Sequence, residues 1–259
     1  MATTPESTSA TTAVKSSSRL SHWIGSFVLG GALIALVVTV LSLTLARFDI
    51  IDKLTGFIGF MMLLNPLRAL VVIALIGIGI ALVRKTAISW KAPFGLAISV
   101  VLLLAIYTQV IIPGGNAPRL HDITTDVDDP PQFTTLSLRE DNLIPFNNIE
   151  EWRAAHREGY PDIGPVVIDK SPAEVLAAAR ALAESKGWTI ASVDEESGHM
   201  EATAYAGYIR FMDDVIVEVT PIEDGSTRVD MRSVSRVGLS DLGYNAARIR
   251  EFLAELRAS

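Results

Sequence analysis

The sequence predicts an α+β protein: three transmembrane helices followed by a soluble domain with a four-stranded antiparallel sheet and two helices on one face. Three observations carry this reading. The first 112 residues contain three long apolar runs and a net charge of +5, whereas residues 113–259 carry −12 of the total −7. Mean hydropathy is +0.37, high for a chain dissolved wholly in water. From Ser171 onward the pattern becomes one amphipathic helix, four alternating runs and a second helix.

Residues 1–19 are rich in Ser, Thr and Ala and read as a disordered N-terminal tail. Residues 20–112 form the membrane domain. Trp23 to Ala46 (span 23–46) has no charge, and at ~1.5 Å rise per residue it exceeds the ~30 Å hydrocarbon core. Trp23 suits the interface. A cleaved signal peptide is the rival reading, but its apolar core runs ~7–15 residues. The next apolar stretch, Leu54 to Val83, is interrupted by Asn65-Pro66. Proline belongs in the first turn of a helix, so the second span is placed over 66–83, with 54–64 interfacial or re-entrant. The alternative is one tilted helix kinked at Pro66. The third span covers 93–112, between Lys91 and Pro113-Gly114-Gly115. Small residues four apart (Gly31/Ala35, Gly77/Ala81, Gly95/Ser99) permit close helix packing. No span holds Asp, Glu, Lys or His near its centre, which argues against a transporter.

Basic residues set the orientation. Lys15 and Arg19 precede the first span, and Arg84, Lys85 and Lys91 fill the second loop. The expectation is a multi-pass protein of the bacterial inner membrane, N-terminus cytoplasmic, C-terminal domain periplasmic. Arg47 and Lys53 in the first loop run against this, although Asp49 and Asp52 accompany them.

The absence of cysteine excludes disulfides, thiolate metal sites and a Cys nucleophile. The acidic balance of the soluble part excludes nucleic acid as a partner. Residues 113–170 are rich in Pro and Gly and read as a largely irregular connector packing on the domain, with a short helix near Ile149–His156. The α+β domain covers 171–259. Ser171-Pro172-Ala173-Glu174 is a helix start with a capping box, and Gly187 ends that helix. Four strands follow: Trp188–Val193, His199–Tyr205, Phe211–Thr220 and Thr227–Val237. A last helix begins near Ser240-Asp241, with Leu242, Ala246, Ile249, Phe252, Leu253 and Leu256 at helical spacing. Both helices on one side of the sheet leave a polar face, bearing Arg228, Asp230, Arg232 and Arg236, uncovered.

Three stretches carry a resemblance to a known family. They are Leu120-His121-Asp122-Ile123-Thr124-Thr125-Asp126 with Asp129-Pro130-Pro131; Arg210-Phe211-Met212-Asp213-Asp214-Val215; and Arg232-Ser233-Val234-Ser235-Arg236-Val237-Gly238 with Ser240-Asp241-Leu242-Gly243-Tyr244-Asn245. From about residue 120 to the end the chain resembles the domain-of-unknown-function family 1499, some members of which are similar in having several spans before the domain. The resemblance implies the fold and the membrane context and brings no activity.

Within these motifs the candidate binding residues are Arg210, Asp213, Asp214, Arg232 and Arg236, with Asp241 and Asn245 at the last helix start. On adjacent strands such groups form either a structural ion-pair network or an arginine pocket for a carboxylate or phosphate. Free amides at the helix start between Gly238 and Gly243 are a further anion site. His121, Asp122, Asp126, Asp128 and Asp129 read as turn caps, with a Ca²⁺ site or a His121–Asp122 base as alternatives. No nucleophile elbow or phosphate-cradling loop is present, so no catalytic residue, metal or cofactor is assigned. Three functions stay open: a non-catalytic envelope binding or assembly module, an envelope enzyme using His121/Asp122, and an accessory subunit of a membrane complex. The partners expected are the lipid bilayer and an envelope protein or small anion.

Overall fold

A computed structural model of the chain describes residues 19–259, so the tail expected over 1–19 lies, but for Arg19, outside the described residues. The chain forms two compact units. One comprises the described residues up to Leu41 together with Gly59–Ala105, the other Ser42–Ile58 with Ile106–Ser259.

Three helical stretches, Arg19–Arg47, Lys53–Val83 and Lys91–Gly115, are long and apolar enough to cross a membrane. The first is the single helix α1 (Arg19–Arg47). The second consists of α2 (Lys53–Met61) and α3 (Leu64–Val83), with a two-residue break between them. Pro66 falls in the first turn of α3, where its missing N–H has no partner to lose. The third begins as α4 (Lys91–Ile106), widens into a π-helical turn at Tyr107–Ile111 and ends as α5 (Ile112–Asn116). The Ile112 amide donates to the Tyr107 carbonyl, five residues back. That wider turn comes just before Pro113, whose ring would clash with the preceding turn of a regular helix.

In the first unit the small residues lie where helices touch. A Cβ on Gly95 would sit 2.8 Å from the Leu29 backbone nitrogen, so α4 packs directly on the backbone of α1. Ser99 is fully buried and donates to the Gly95 carbonyl. Ile34, Val37, Leu75 and Val101 point away from this packing and are exposed, an apolar surface suited to lipid rather than water.

The second unit holds a six-stranded antiparallel sheet, not the expected four. Its strands are β1 (Asp122–Thr124), β2 (Val166–Ile168), β3 (Thr189–Asp194), β4 (His199–Ala206), β5 (Phe211–Pro221) and β6 (Thr227–Ser235). The order is β1-β6-β5-β4-β3, and β2 also pairs with β6. The two additional strands lie end to end along the outer edge of β6: Ile123 opposes Ser233 and Val167 opposes Arg228. Each has only three residues, too short to show an alternating pattern, and what makes them strands is the unpaired edge of β6. Between β1 and β2 stands α6 (Ile149–Gly159), capped by Asn148, whose side chain accepts from the Glu151 amide.

Helices α7 (Pro172–Ser185) and α8 (Tyr244–Ala258) share one sheet face. The capping box of α7 is complete: the Ser171 side chain accepts from the Glu174 amide while the Glu174 side chain accepts from the Ser171 amide. Met200, Val215, Val217, Val219, Val229 and Met231 meet Val175, Leu176, Ala179, Ile249, Phe252 and Leu256 in one core. Trp188 stacks on Phe252 at 4.9 Å between ring centroids.

Candidate functional site

Alternation along a strand sends neighbouring residues to opposite faces, and this divides the predicted site. Asp213 points to the helix-covered face. Its Oδ2 accepts from Arg248 Nη2 at 2.6 Å, and Arg248 Nη1 also donates to Ser233 Oγ and Asn245 Oδ1. Asn245, fully buried, donates to the His121 carbonyl and to Ser235 Oγ. Asp241 accepts from the Gly243 and Asn245 amides, so it caps α8 through Gly243, which stands at φ +86°. Burial pushes the Asp241 carboxyl up to about 6 despite those two amides. The amides expected to be free for an anion are therefore in part already bonded to Asp241.

Asp213, Asp241 and Asn245 thus come together around Arg248, a residue that sequence reasoning missed. One signal was available: Asn245 and Arg248, three apart, lie on the apolar stripe of α8 with Ile249 and Phe252, and polar groups on such a stripe need partners inside.

Asp214, Arg232 and Arg236 point to the opposite face. This face is polar as expected, but it is not open: residues 131–142 strap across it. Arg232 is 6% exposed. It holds Asp122 through two bonds, Nε–Oδ1 at 2.9 Å and Nη2–Oδ2 at 2.7 Å, and donates through Nη1 to the Pro131 carbonyl. Asn142 completes the Asp122 shell at 2.6 Å. Glu201, fully buried, accepts from the amides of Thr134, Thr135 and Leu136 and from Thr134 Oγ1. Burial alone would raise its pKa, but those three amides and His199 outweigh it and hold the carboxylate down to about 2. Arg236 clasps Asp214 and bonds Thr203. Arg210 joins neither group: it sits in the β4–β5 turn at φ +61° with its guanidinium 4.1 Å from the centre of the Tyr205 ring. The five charged residues therefore form no common pocket.

His121 and Asp122 are each 2% exposed. His121 Nε2 donates to the Ile144 carbonyl at 3.0 Å, and burial lowers its pKa. Asp126 accepts from the Asp128 and Asp129 amides and pairs with Arg228; the Asp129 amide and that guanidinium hold it below the usual carboxylate range. Asp128 pairs with Arg157. Among the described residues no group of three or more His, Asp or Glu side chains is arranged to hold a metal ion. His156, fully buried, accepts the Thr124 amide at Nε2, and burial lowers its pKa to about 4, so its ring is neutral.

One open cavity, of about 250 Å³, involves a predicted residue. Asp49–Lys53 form one wall, and Met212, Arg236 and Val237 at the ends of β5 and β6 form the other. Contacts in the same unit hold the two walls together. Lys53 Nζ donates to the Ala46 and Ile209 carbonyls and pairs with Asp49 at 2.8 Å. Arg47 donates to the Tyr208 carbonyl and covers the Tyr208 ring. Phe57 meets Phe211 edge-on at 5.9 Å. The loop between the first two apolar stretches is thus built into the sheet domain at the β4–β5 turn.

A search of the curated proteins found no match. Residues 122–256, a little over half of the chain, match the family described as protein of unknown function (DUF1499), and the chain belongs to that family.

Proposed function

We propose that this chain is a non-catalytic binding or assembly module of the cell envelope, an inner-membrane protein that carries its C-terminal domain on the periplasmic surface. The observation that carries the reading is the joining of the first loop to the domain through Lys53, Arg47 and Phe57. It supports one side of the bilayer for both, as the two crossings that separate them require. It also answers the charge count of the first loop. Arg47 and Lys53 are engaged by carbonyls and by Asp49, which leaves the orientation signal to the other two basic segments of the sequence, at Lys15/Arg19 and at Arg84, Lys85 and Lys91. The non-catalytic part of the reading is supported by the enclosure of His121 and Asp122, each bonded within the domain.

Because the chain has no cysteine, single-cysteine variants test the orientation directly. In spheroplasts a membrane-impermeant maleimide labels Ser197→Cys, in the exposed β3–β4 turn, without permeabilisation. Arg84→Cys reacts only after the membrane is opened. The reverse pattern overturns the proposed orientation.

A further inference from the structure

The cavity between the first loop and the ends of β5 and β6 has a ligand chemistry of its own. We propose that it holds the phosphoethanolamine headgroup of a bilayer lipid, an assignment that rests on the binding-module reading above. Its position is set by the chain: residues 48–52 join two stretches long enough to cross the membrane, so the cavity stands at headgroup depth. Its volume of about 250 Å³ is below the ~300–1,000 Å³ usual for drug-sized ligands, suiting a headgroup rather than an acyl chain. Beside it Phe48 and Ile50 are 65% and 67% exposed, a strongly apolar surface for a loop unless acyl chains meet it.

The charged groups select the ligand. Lys53 has all three ammonium protons engaged by Ala46, Ile209 and Asp49, so it offers no donor and cancels Asp49. Arg236 is held rigid by Asp214 and Thr203 through Nε and Nη2. Its Nη1 meets only the Met212 sulfur, at 3.5 Å, on the cavity wall, and is the donor left for a phosphate oxygen. Asp52 is fixed by the Thr55 amide and hydroxyl, both on Oδ1. Oδ2 is left as an acceptor, and the carboxylate has no cation of its own among the described residues. One donor for an anion and one unmatched carboxylate disfavour a plain anion. They match a ligand carrying phosphate and a primary ammonium together.

The test reads lipid retention by the full chain. Protein extracted from vesicles containing equal amounts of phosphatidylethanolamine, phosphatidylcholine and phosphatidylglycerol is examined by native mass spectrometry. Wild type retains phosphatidylethanolamine about tenfold over the other two, which corresponds to ~1.4 kcal/mol; choline has no N–H to donate to Asp52, and glycerol has no cation. Asp52→Asn keeps the cap and loses the preference, as does Val237→Phe, which fills the cavity without touching an ion pair. Free O-phosphoethanolamine displaces the lipid and inorganic phosphate does not. Equal retention of the three lipids, a preference for phosphatidylglycerol, or an unchanged preference in Asp52→Asn overturns the assignment. The cysteine labelling reports the side of the domain independently, so a failed headgroup site and a failed orientation give different results.

Discussion

The two faces of the sheet exclude water by different means. Under α7 and α8, Val215, Val217, Val219, Val229 and Met231 pack on aliphatic and aromatic side chains, and the stabilisation is non-directional, set by the apolar area removed from water. Under the strap at 131–142, Glu201, Asp122 and Arg232 are as dry, yet each is held by directed bonds to partners in the connector. The apolar face tolerates small changes of shape. The ionic face tolerates almost no loss of a partner, because a buried charge without one bears its full desolvation cost. An irregular segment can close a sheet face if it brings the right amides and carbonyls.

The largest expected effect breaks the ionic face. Arg232→Ala leaves Asp122 buried and unpaired and costs about 3–5 kcal/mol in denaturant unfolding of the full chain in detergent. If the contrast between faces is right, the double replacement Asp122→Leu/Arg232→Met costs less than Arg232→Ala alone; a purely additive result would remove the distinction.

A second test uses acid. Glu201 has its pKa lowered from 4.5 to about 2, so the unfolded chain binds its proton first. Its contribution, about 3 kcal/mol, is complete above pH 4.5 and is lost as the pH falls towards 2. Acid titration of unfolding stability shows that loss in wild type and not in Glu201→Gln.

Two further groups oppose each other between pH 4 and 6.5. His156, lowered from 6.5 to about 4, makes stability fall on acidification because only the unfolded ring takes up the proton. Asp241, raised from 3.8 to about 6, makes stability rise on acidification because the folded carboxyl takes it up first. Their contributions offset each other, so the wild-type fall across this window, to which the buried His121 ring contributes in the same direction as His156, is shallow in stability measured against pH. Asp241→Asn removes the opposing contribution, so stability falls more steeply on acidification than in wild type; an unchanged slope in that variant contradicts the raised Asp241 carboxyl.

The smallest effect belongs to the apolar face. Ile249→Val removes one methylene from the core and costs about 0.5–1.5 kcal/mol, with the same value at pH 5 and pH 7 in the same unfolding assay. A pH-dependent cost would mean that the two faces are coupled through the sheet.

Much of the fold was legible because its signals are local. The four longer strands are observed within two residues of their expected ends, and the Ser171 cap stands where its motif put it. The candidate site was legible only as a set of residue types. Which aspartate meets which arginine was not: Arg232 joins Asp122 across 110 residues, while Asp213, next to Asp214 in the chain, serves the other face through Arg248. Lys53 and Arg47 read as loop cations until the β4–β5 turn supplied the Ile209 and Tyr208 carbonyls.

By itself the sequence determined the apolar stretches, the four long strands, the two core helices and the family, since periodicity and capping are written within windows of a few turns. Only the tertiary structure decided that β1 and β2 exist, that the strap closes the polar face, and that Arg236 alone of the predicted arginines reaches the open cavity. Three-residue strands and ion pairs carry no pattern of their own; any carboxylate is chemically acceptable to an arginine, and proximity across the fold makes the choice.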